Sequence, residues 1–396
     1  TVAGPFPSTL SPDMPSSLHL LDSYLPRTET FIWQTLRALK RFPPLIVADR
    51  RENDGLFPLP GPDPFVPLHP SRPLMSRLLA RARRDFAPVR YPGGVEALAA
   101  RDIAVCHVHK GFRALVTRDF TRALGKPLLV NFYGSDVSQA PFLRRAMRGY
   151  RELFGQARFL LVEGPAMRQR LTRLGAPEER IRIQRIAIDP ADYPFRERSW
   201  DGNRPLRFLF IGRLVDKKGL DVGLQALAAG AKDFPWRLTV IGDGPRRAAL
   251  EAQAVALGVS ARVDFAGYKT MEQMRGALDT HDLLLQPSRV APDGDAEGGA
   301  PTVILEAQAG GLPVISTDHD DIPFVTAPGG GDGPARASAW LAPQGDAGAL
   351  AALVRQAAQE ASQWGAMGRA GRAKVEADHH VARAILSLED TYADAL

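Results

Sequence analysis

Two doubly wound α/β domains in tandem are what the amino-acid sequence predicts, on three observations. Short apolar runs alternate with stretches of helical periodicity along the chain, the mark of βαβ units built around parallel sheets. A polar segment, RERSWDGNRP at 196–205, interrupts the alternation, which then restarts. The length of 396 residues exceeds one ordinary core and suits two domains of about 150–200 residues. The predicted division is 1–198 and 199–380, with a helix over 381–396 packing back on the first domain. Such an arrangement places the ligand crevice between the halves, at the carboxyl ends of the strands.

In the first half, LHLLDSYL (18–25) reads as a strand and TETFIWQTLRALKRF (28–42) as a helix with Thr28 as its N-cap. LIVAD (45–49), DIAVCHVH (102–109), PLLVNFY (127–133) and FLLVEG (159–164) continue the strands, with helices over 112–124 and 142–156. The stretch 50–75 carries seven prolines and reads as an irregular surface excursion. In the second half the order is LRFLFIG, helix 219–230, RLTVIGDG, helix 245–257, VDFAG, helix 271–279, DLLLQPS, helix 302–310 and PVIST. APGGGDGP (327–334) reads as a flexible segment within that half.

Composition narrows the class. Hydrophobic content of 45% beside 24% charged residues is globular. No run approaches the roughly 18–20 apolar residues that span a bilayer. Cys106 is the single cysteine, which rules out an intramolecular disulfide and fits a cytoplasmic setting. The formal charge of +6, carried mostly by arginine, favours anionic partners. Nucleic acid is set aside, because no basic module studded with aromatics occurs. The basic stretches 76–85 and 142–153 read either as solvated helix faces or as contacts with the anionic inner face of a membrane. The chain opens at Thr1 rather than Met, which reads as a trimmed or processed start.

The second half holds the strongest chemical signals. FLFIGRLVDKKGL (208–220) is a buried strand, a turn at Gly212, then Arg213 and Lys218 before a helix. A guanidinium fork, an ammonium point charge and free helix N–H groups suit a diphosphate. IGDGP (241–245) repeats the strand–turn–helix pattern, with Gly242 and Gly244 allowing close backbone approach to a ligand. In DGDAEGGAPTVILEAQAGG, Glu297 precedes the turn Gly298, Gly299, Ala300, and Pro301 or Thr302 opens a helix that holds Val303 and Glu306. An anion-binding turn flanked by two carboxylates suits a sugar nucleotide, the carboxylates accepting from ribose or hexose hydroxyls.

These residues resemble the Glu-x7-Glu signature of retaining glycosyltransferase family 4, enzymes of the GT-B fold with two Rossmann-like domains facing a central cleft. GRLVDKKG resembles the family's diphosphate loop, FYGSDVS (132–138) its HG-x-D-x-S segment, and PRTETFI (26–32) the SETFI opening of exopolysaccharide-type members. VEGPAMRQRLTRLGAPEERI (162–181) fits the run before the linker, so the resemblance covers nearly the whole chain in order.

The resemblance implies an acceptor-binding first domain and a second domain that binds a UDP- or GDP-sugar. Arg213 and Lys218 would hold the diphosphate, Glu306 the ribose, and Glu297 the transferred sugar, helped by N–H groups of Gly298 to Thr302. Two departures stand out. Eight residues, not seven, separate Glu297 from Glu306, and Tyr133 stands where the family commonly has His. His109, at the end of the preceding strand, is the candidate substitute, His107 and His109 otherwise reading as structural strand-end residues. Asp136 reads either as an acceptor-facing carboxylate or as a helix cap. No cofactor or metal is expected. DGD at 293–295 resembles the Asp-x-Asp motif of another glycosyltransferase fold but sits in a Gly-rich turn. The acceptor is expected to be a saccharide, a lipid-linked chain or a small molecule. A nucleotide-sugar 2-epimerase and a binding protein with decayed catalysis are the alternatives.

Overall fold

The structure, a computed structural model, describes residues 14–26, 29–82, 86–326 and 338–396. The chain divides into two compact units, one of Thr1–Glu163, Arg168–Ala187 and Val381–Leu396, the other of Gly164–Met167 and Ile188–His380. Thr28, residues 83–85 of the stretch 76–85 and the segment 327–334 lie outside the described residues.

The first unit is an all-parallel sheet of β1 (Ser16–Tyr24), β2 (Pro44–Arg51), β3 (Ile103–His109), β4 (Leu128–Asn131), β5 (Phe159–Val162) and β6 (Ile181–Ile183), in the order β2-β1-β3-β4-β5-β6. Every residue of β3, β4 and β5 is buried, because βα crossovers cover both faces of a parallel sheet. That explains their near-continuous apolar runs. Side chains alternate across a strand, so His107 and His109 share a face of β3, and His19 of β1 is in register with His107. Three imidazoles thereby meet inside the sheet. The strand order reverses between β1 and β3, so their carboxyl ends form this unit's switch point, where α/β sheets place ligands.

The second unit is a parallel sheet of β7 (Leu206–Ile211), β8 (Trp236–Ile241), β9 (Val263–Gly267), β10 (Leu283–Gln286), β11 (Val314–Thr317) and β12 (Ala339–Ala342), ordered β12-β11-β10-β7-β8-β9. Leu206, Phe208 and Phe210 of β7 pack with Leu238 and Val240 of β8 and with Leu224 and Leu227 of the helix Leu220–Gly230. Each such side chain contributes roughly 1.5–3 kcal/mol on full burial. The reversal here falls between β7 and β10.

Two sequence expectations change. The crossing between units falls at Ala187–Ile188, not at 198/199. The polar segment 196–205 belongs to the second unit, anchored by Trp200 against Phe234 and Trp364, and by Arg198 donating to the Leu278 carbonyl at 2.9 Å. Its charged flanks hid those anchors. The short strands β6 and β12 carry too few residues for a periodicity signal, and neither was predicted. The first helix runs Thr30–Ala38 with Glu29 at the N-cap position. The helix Val381–Ala395 belongs to the first unit, where the Glu389 carboxylate accepts from the main-chain N–H groups of Lys40 and Arg41.

Candidate functional site

The loops after β7 and β10 meet at the switch point of the second unit. Gly219 has φ +64°, and a Cβ there would lie 1.9 Å from the Pro287 carbonyl oxygen. Only glycine lets the two loops come this close. The contact brings Lys218 against Glu297: Nζ lies 2.9 Å from Oε1 and 3.0 Å from Oε2. The two side chains are only 16% and 8% exposed. The Ser288 hydroxyl donates to Glu297 Oε1 at 2.8 Å. Burial pushes the Glu297 carboxyl up, but Lys218 and Lys217 outweigh it and hold the group below its ordinary range. Lys217 itself reaches Asp295 at 3.3 Å and the Ala296 carbonyl at 3.1 Å. Asp295 is thus engaged by a lysine, and its N–H bonds Asp293 at 3.0 Å.

Arg213 is the contrasting cation. It is exposed, and its guanidinium has no partner among the described residues. The sequence assigns both Arg213 and Lys218 to the diphosphate, whereas the fold gives Lys218 a counter-ion and leaves Arg213 open.

The glycines Gly242 and Gly244 pack against the loop after β7. Gly242 has φ +128°, and a Cβ there would meet the Gly212 carbonyl oxygen at 2.0 Å; at Gly244 it would meet the Leu214 carbonyl oxygen at 2.5 Å. The close approach they permit is to the β7 loop. They let the β8 loop lie directly on Gly212 and Leu214, on either side of Arg213 in the chain.

In the turn after Glu297, several donors are taken. The Glu297 N–H donates to His319 Nε2 at 3.2 Å, and the Gly298 N–H to Asp320 Oδ2 at 2.6 Å. The Gly299 carbonyl accepts from the Asp321 N–H. The Gly298 amide is therefore spoken for by protein. The helix Thr302–Ala309 follows with Pro301 as N-cap and no side-chain cap, and its second residue, Val303, is buried. Glu306, on that helix, receives the Tyr193 hydroxyl at 3.0 Å. Burial pushes its carboxyl above the ordinary range, against the Tyr193 bond and the nearby Arg275 cation. Arg275 stands 5.3 Å over the Tyr193 ring and bonds Asp192 at 2.6 Å. Tyr193 and Arg275 were not identified from sequence. They lie far from Glu306 in the chain, and no local pattern links them.

The first unit gathers its own polar cluster. Ser17 Oγ lies 2.9 Å from His19 Nε2, His19 Nδ1 lies 3.0 Å from His109 Nε2, and His109 Nδ1 lies 2.9 Å from Tyr133 Oη. His107 bridges the Tyr392 hydroxyl at 2.6 Å and Asn131 Oδ1 at 2.7 Å. Burial lowers the affinity of all three imidazoles for a second proton, that of His107 to about 4. They form the one group among the described residues whose atoms lie close enough to hold a metal ion. Every ring nitrogen is already in a hydrogen bond with protein, so the cluster is satisfied as it stands. Tyr133 is half-buried beside Phe31, ring centroids 5.1 Å apart, and the two line a small pocket with Thr35, Asn131 and Gln184. Lys110, which follows His109 in the chain, bonds Glu29 at 2.6 Å and Asp22 at 3.4 Å. Lys110 has φ +77°, uncommon for a side-chain-bearing residue. This trio was also missed, because its members come from three separate segments.

Asp136 is turned onto the main chain. Its Oδ2 accepts from the Gly111 N–H at 2.7 Å and its Oδ1 from the Tyr133 N–H at 2.9 Å. Both oxygens are occupied by main chain, so the carboxylate braces the turn carrying Tyr133. Burial raises its pKa to about 6 in spite of these bonds.

Residues 205–360 match the family described as Glycosyl transferases group 1, and residues 28–185 the Glycosyl transferase 4-like domain. The amylovoran biosynthesis glycosyltransferase AmsK of Erwinia amylovora is 34% identical over 72% of this chain and 68% of its own length. WcaL of Salmonella typhimurium, provisionally named a colanic acid biosynthesis glycosyltransferase, is 31% identical over 64% of this chain and 61% of its own. The fold is that of Anabaena Alr3699/HepE, solved in complex with UDP and glucose, with a TM-score of 0.73 at 15% identity over 96% of this chain and 100% of that one.

Proposed function

Because the chain belongs to glycosyltransferase family 4, among its exopolysaccharide-type members, we propose that it moves a sugar from a UDP- or GDP-sugar onto a saccharide or lipid-linked acceptor in polysaccharide assembly. The single observation that carries the reading is the meeting of two loops at the switch point of the second unit, where Lys218 bonds Glu297, with the exposed Arg213 on the same β7 loop and the uncapped helix start at Thr302 and Glu306 following Glu297 in the chain. Developing charge on the departing diphosphate is what such preorganised cations stabilise. Glu306 Oε1 takes the Tyr193 hydroxyl, and its second oxygen is the one offered to ribose. Transfer is proposed to be metal-independent, since Lys217 bonds Asp295 and the β7 loop carries the cations proposed to meet the diphosphate. Retention of configuration follows the family. An epimerase would turn over donor without an acceptor.

The experiment is NMR of the anomeric proton of the product, run with UDP- and GDP-sugars against a saccharide panel, with and without EDTA. Retained configuration and undiminished rate in EDTA are expected. An inverted product removes the retaining mechanism; activity lost in EDTA and restored by Mn²⁺ removes metal independence.

A further inference from the structure

We propose that a one-way chain of hydrogen bonds behind Tyr133 makes its hydroxyl an obligate hydrogen-bond acceptor toward the adjoining pocket, where it receives a saccharide hydroxyl, with Ser17, His19 and His109 as positioning residues. The inference rests on the glycosyltransferase reading for the identity of the ligand, and on geometry alone for the direction of the chain.

The direction starts from a group that cannot donate. The Phe42 carbonyl accepts the Ser17 hydroxyl proton at 2.8 Å. A hydroxyl has one proton, so the contact between Ser17 Oγ and His19 Nε2 must use an Nε2–H. A neutral imidazole has one N–H, which makes His19 Nδ1 an acceptor and its partner His109 Nε2 a donor. His109 Nδ1 is then also an acceptor, and the Tyr133 phenol proton must point inward to it. Burial, foremost, and then the neighbouring His107 keep His19 and His109 neutral. Among the described residues the Tyr133 hydroxyl has no other partner.

Facing the pocket, Tyr133 Oη therefore has lone pairs and no proton. Such a group rewards a hydroxyl or N–H donor and repels a phosphate or carboxylate oxygen. The chain also cannot conduct: it ends on a carbonyl, so a proton passed to Tyr133 has no outlet. Its role is to orient a ligand, and the proton released in transfer must leave by another route. His107, tied to Tyr392 and Asn131, stands beside the chain without joining it, its ring stacked 4.5 Å from that of His109.

The test uses the full chain with ¹⁵N-labelled histidine. The expected result is the Nε2–H tautomer at both His19 and His109; Nδ1–H at His109 would overturn the proposal. Ser17→Ala removes the terminus that sets the direction, and a mixture of tautomers at His109 is expected. If that variant does not fold, Tyr133→Phe carries the test. Saturation transfer to methyl α-glucoside and methyl α-galactoside is expected in the wild type, with affinity falling about fivefold in Tyr133→Phe, the scale of one neutral hydrogen bond. Unchanged affinity, or no binding of either glycoside by the wild type, overturns the recognition role. UDP-glucose and UDP form the second arm. A Tyr133→Phe loss for UDP-glucose beyond that for UDP assigns the hydroxyl to the donor sugar, and a loss confined to glycosides assigns it to the acceptor. If UDP and GDP fail to bind at all, the glycosyltransferase reading fails, while the tautomers still decide the direction of the chain.

Discussion

Lys218 Nζ lies 2.9 Å from Glu297 Oε1, so two residues that the sequence assigned to different parts of a donor are each other's counter-ion. A bound diphosphate must share Lys218 with Glu297 or draw it away. Removing one partner of a largely buried pair strands the other charge, which costs on the order of 3 kcal/mol. Lys218→Ala should therefore lower stability to urea by that scale and weaken UDP or GDP binding by roughly 1.5–3 kcal/mol. Adding Glu297→Gln should recover most of the stability and none of the binding. Calorimetry with the diphosphates and urea melts separate the two effects; a double variant as unstable as Lys218→Ala would show that the ion pair is not the cause.

Glu306→Gln should weaken donor binding more than Glu297→Gln does. The Tyr193 hydroxyl already engages one Glu306 oxygen, and an amide can keep that bond only by presenting its NH₂ to ribose hydroxyls that need an acceptor. Tyr193→Phe should cost less, about 0.5–1.5 kcal/mol, the usual net worth of one hydrogen bond. Titration calorimetry with UDP and GDP checks the ranking, and silence at both carboxylates would take the ribose off Glu306.

Asp136 should titrate near pH 6, since burial holds its pKa at about 6 in the folded chain. The unfolded value is about 3.9, so the folded state binds the proton more tightly. This contribution to stability is complete below about pH 4 and is lost as pH rises through about 6. Glu297 has the opposite sign: its pKa is lowered, so its contribution is present at neutral pH and lost as acid protonates it. Amide shifts of Gly111 and Tyr133 should inflect together near the Asp136 value. An inflection near the unfolded value, or none, would mean that the carboxylate is not buried as described.

Two helices of the first unit should bind anionic vesicles. Leu74–Ala82 leaves Leu74, Met75 and Leu78 exposed beside Arg77 and Arg81, and Ala140–Gln156 exposes Arg144, Arg145, Arg148 and Arg151. No described helix is long and apolar enough to cross a membrane. Co-sedimentation with phosphatidylglycerol vesicles should be strong at low salt and fall with ionic strength. Leu78→Glu should weaken it. Equal binding to neutral phosphatidylcholine would exclude the electrostatic contribution.

What the sequence determined by itself was the local physics. Strand and helix periodicity gave two parallel α/β units, because each strand must be apolar on both faces where helices cover it. The strand–glycine–cation run of β7 and the Glu297–Glu306 turn were legible because their residues are neighbours in the chain. Only the tertiary structure decided which side chains meet. It paired Lys218 with Glu297 across the β7 and β10 loops, tied Asp136 to the main chain, and set Tyr193 on Glu306. It also aligned His19 with His107 and His109 from strands more than eighty residues apart. Such partnerships depend on strand order and register, which are set by the packing of the whole sheet. A hydrogen bond between residues distant in the chain leaves no periodicity for sequence reading to find.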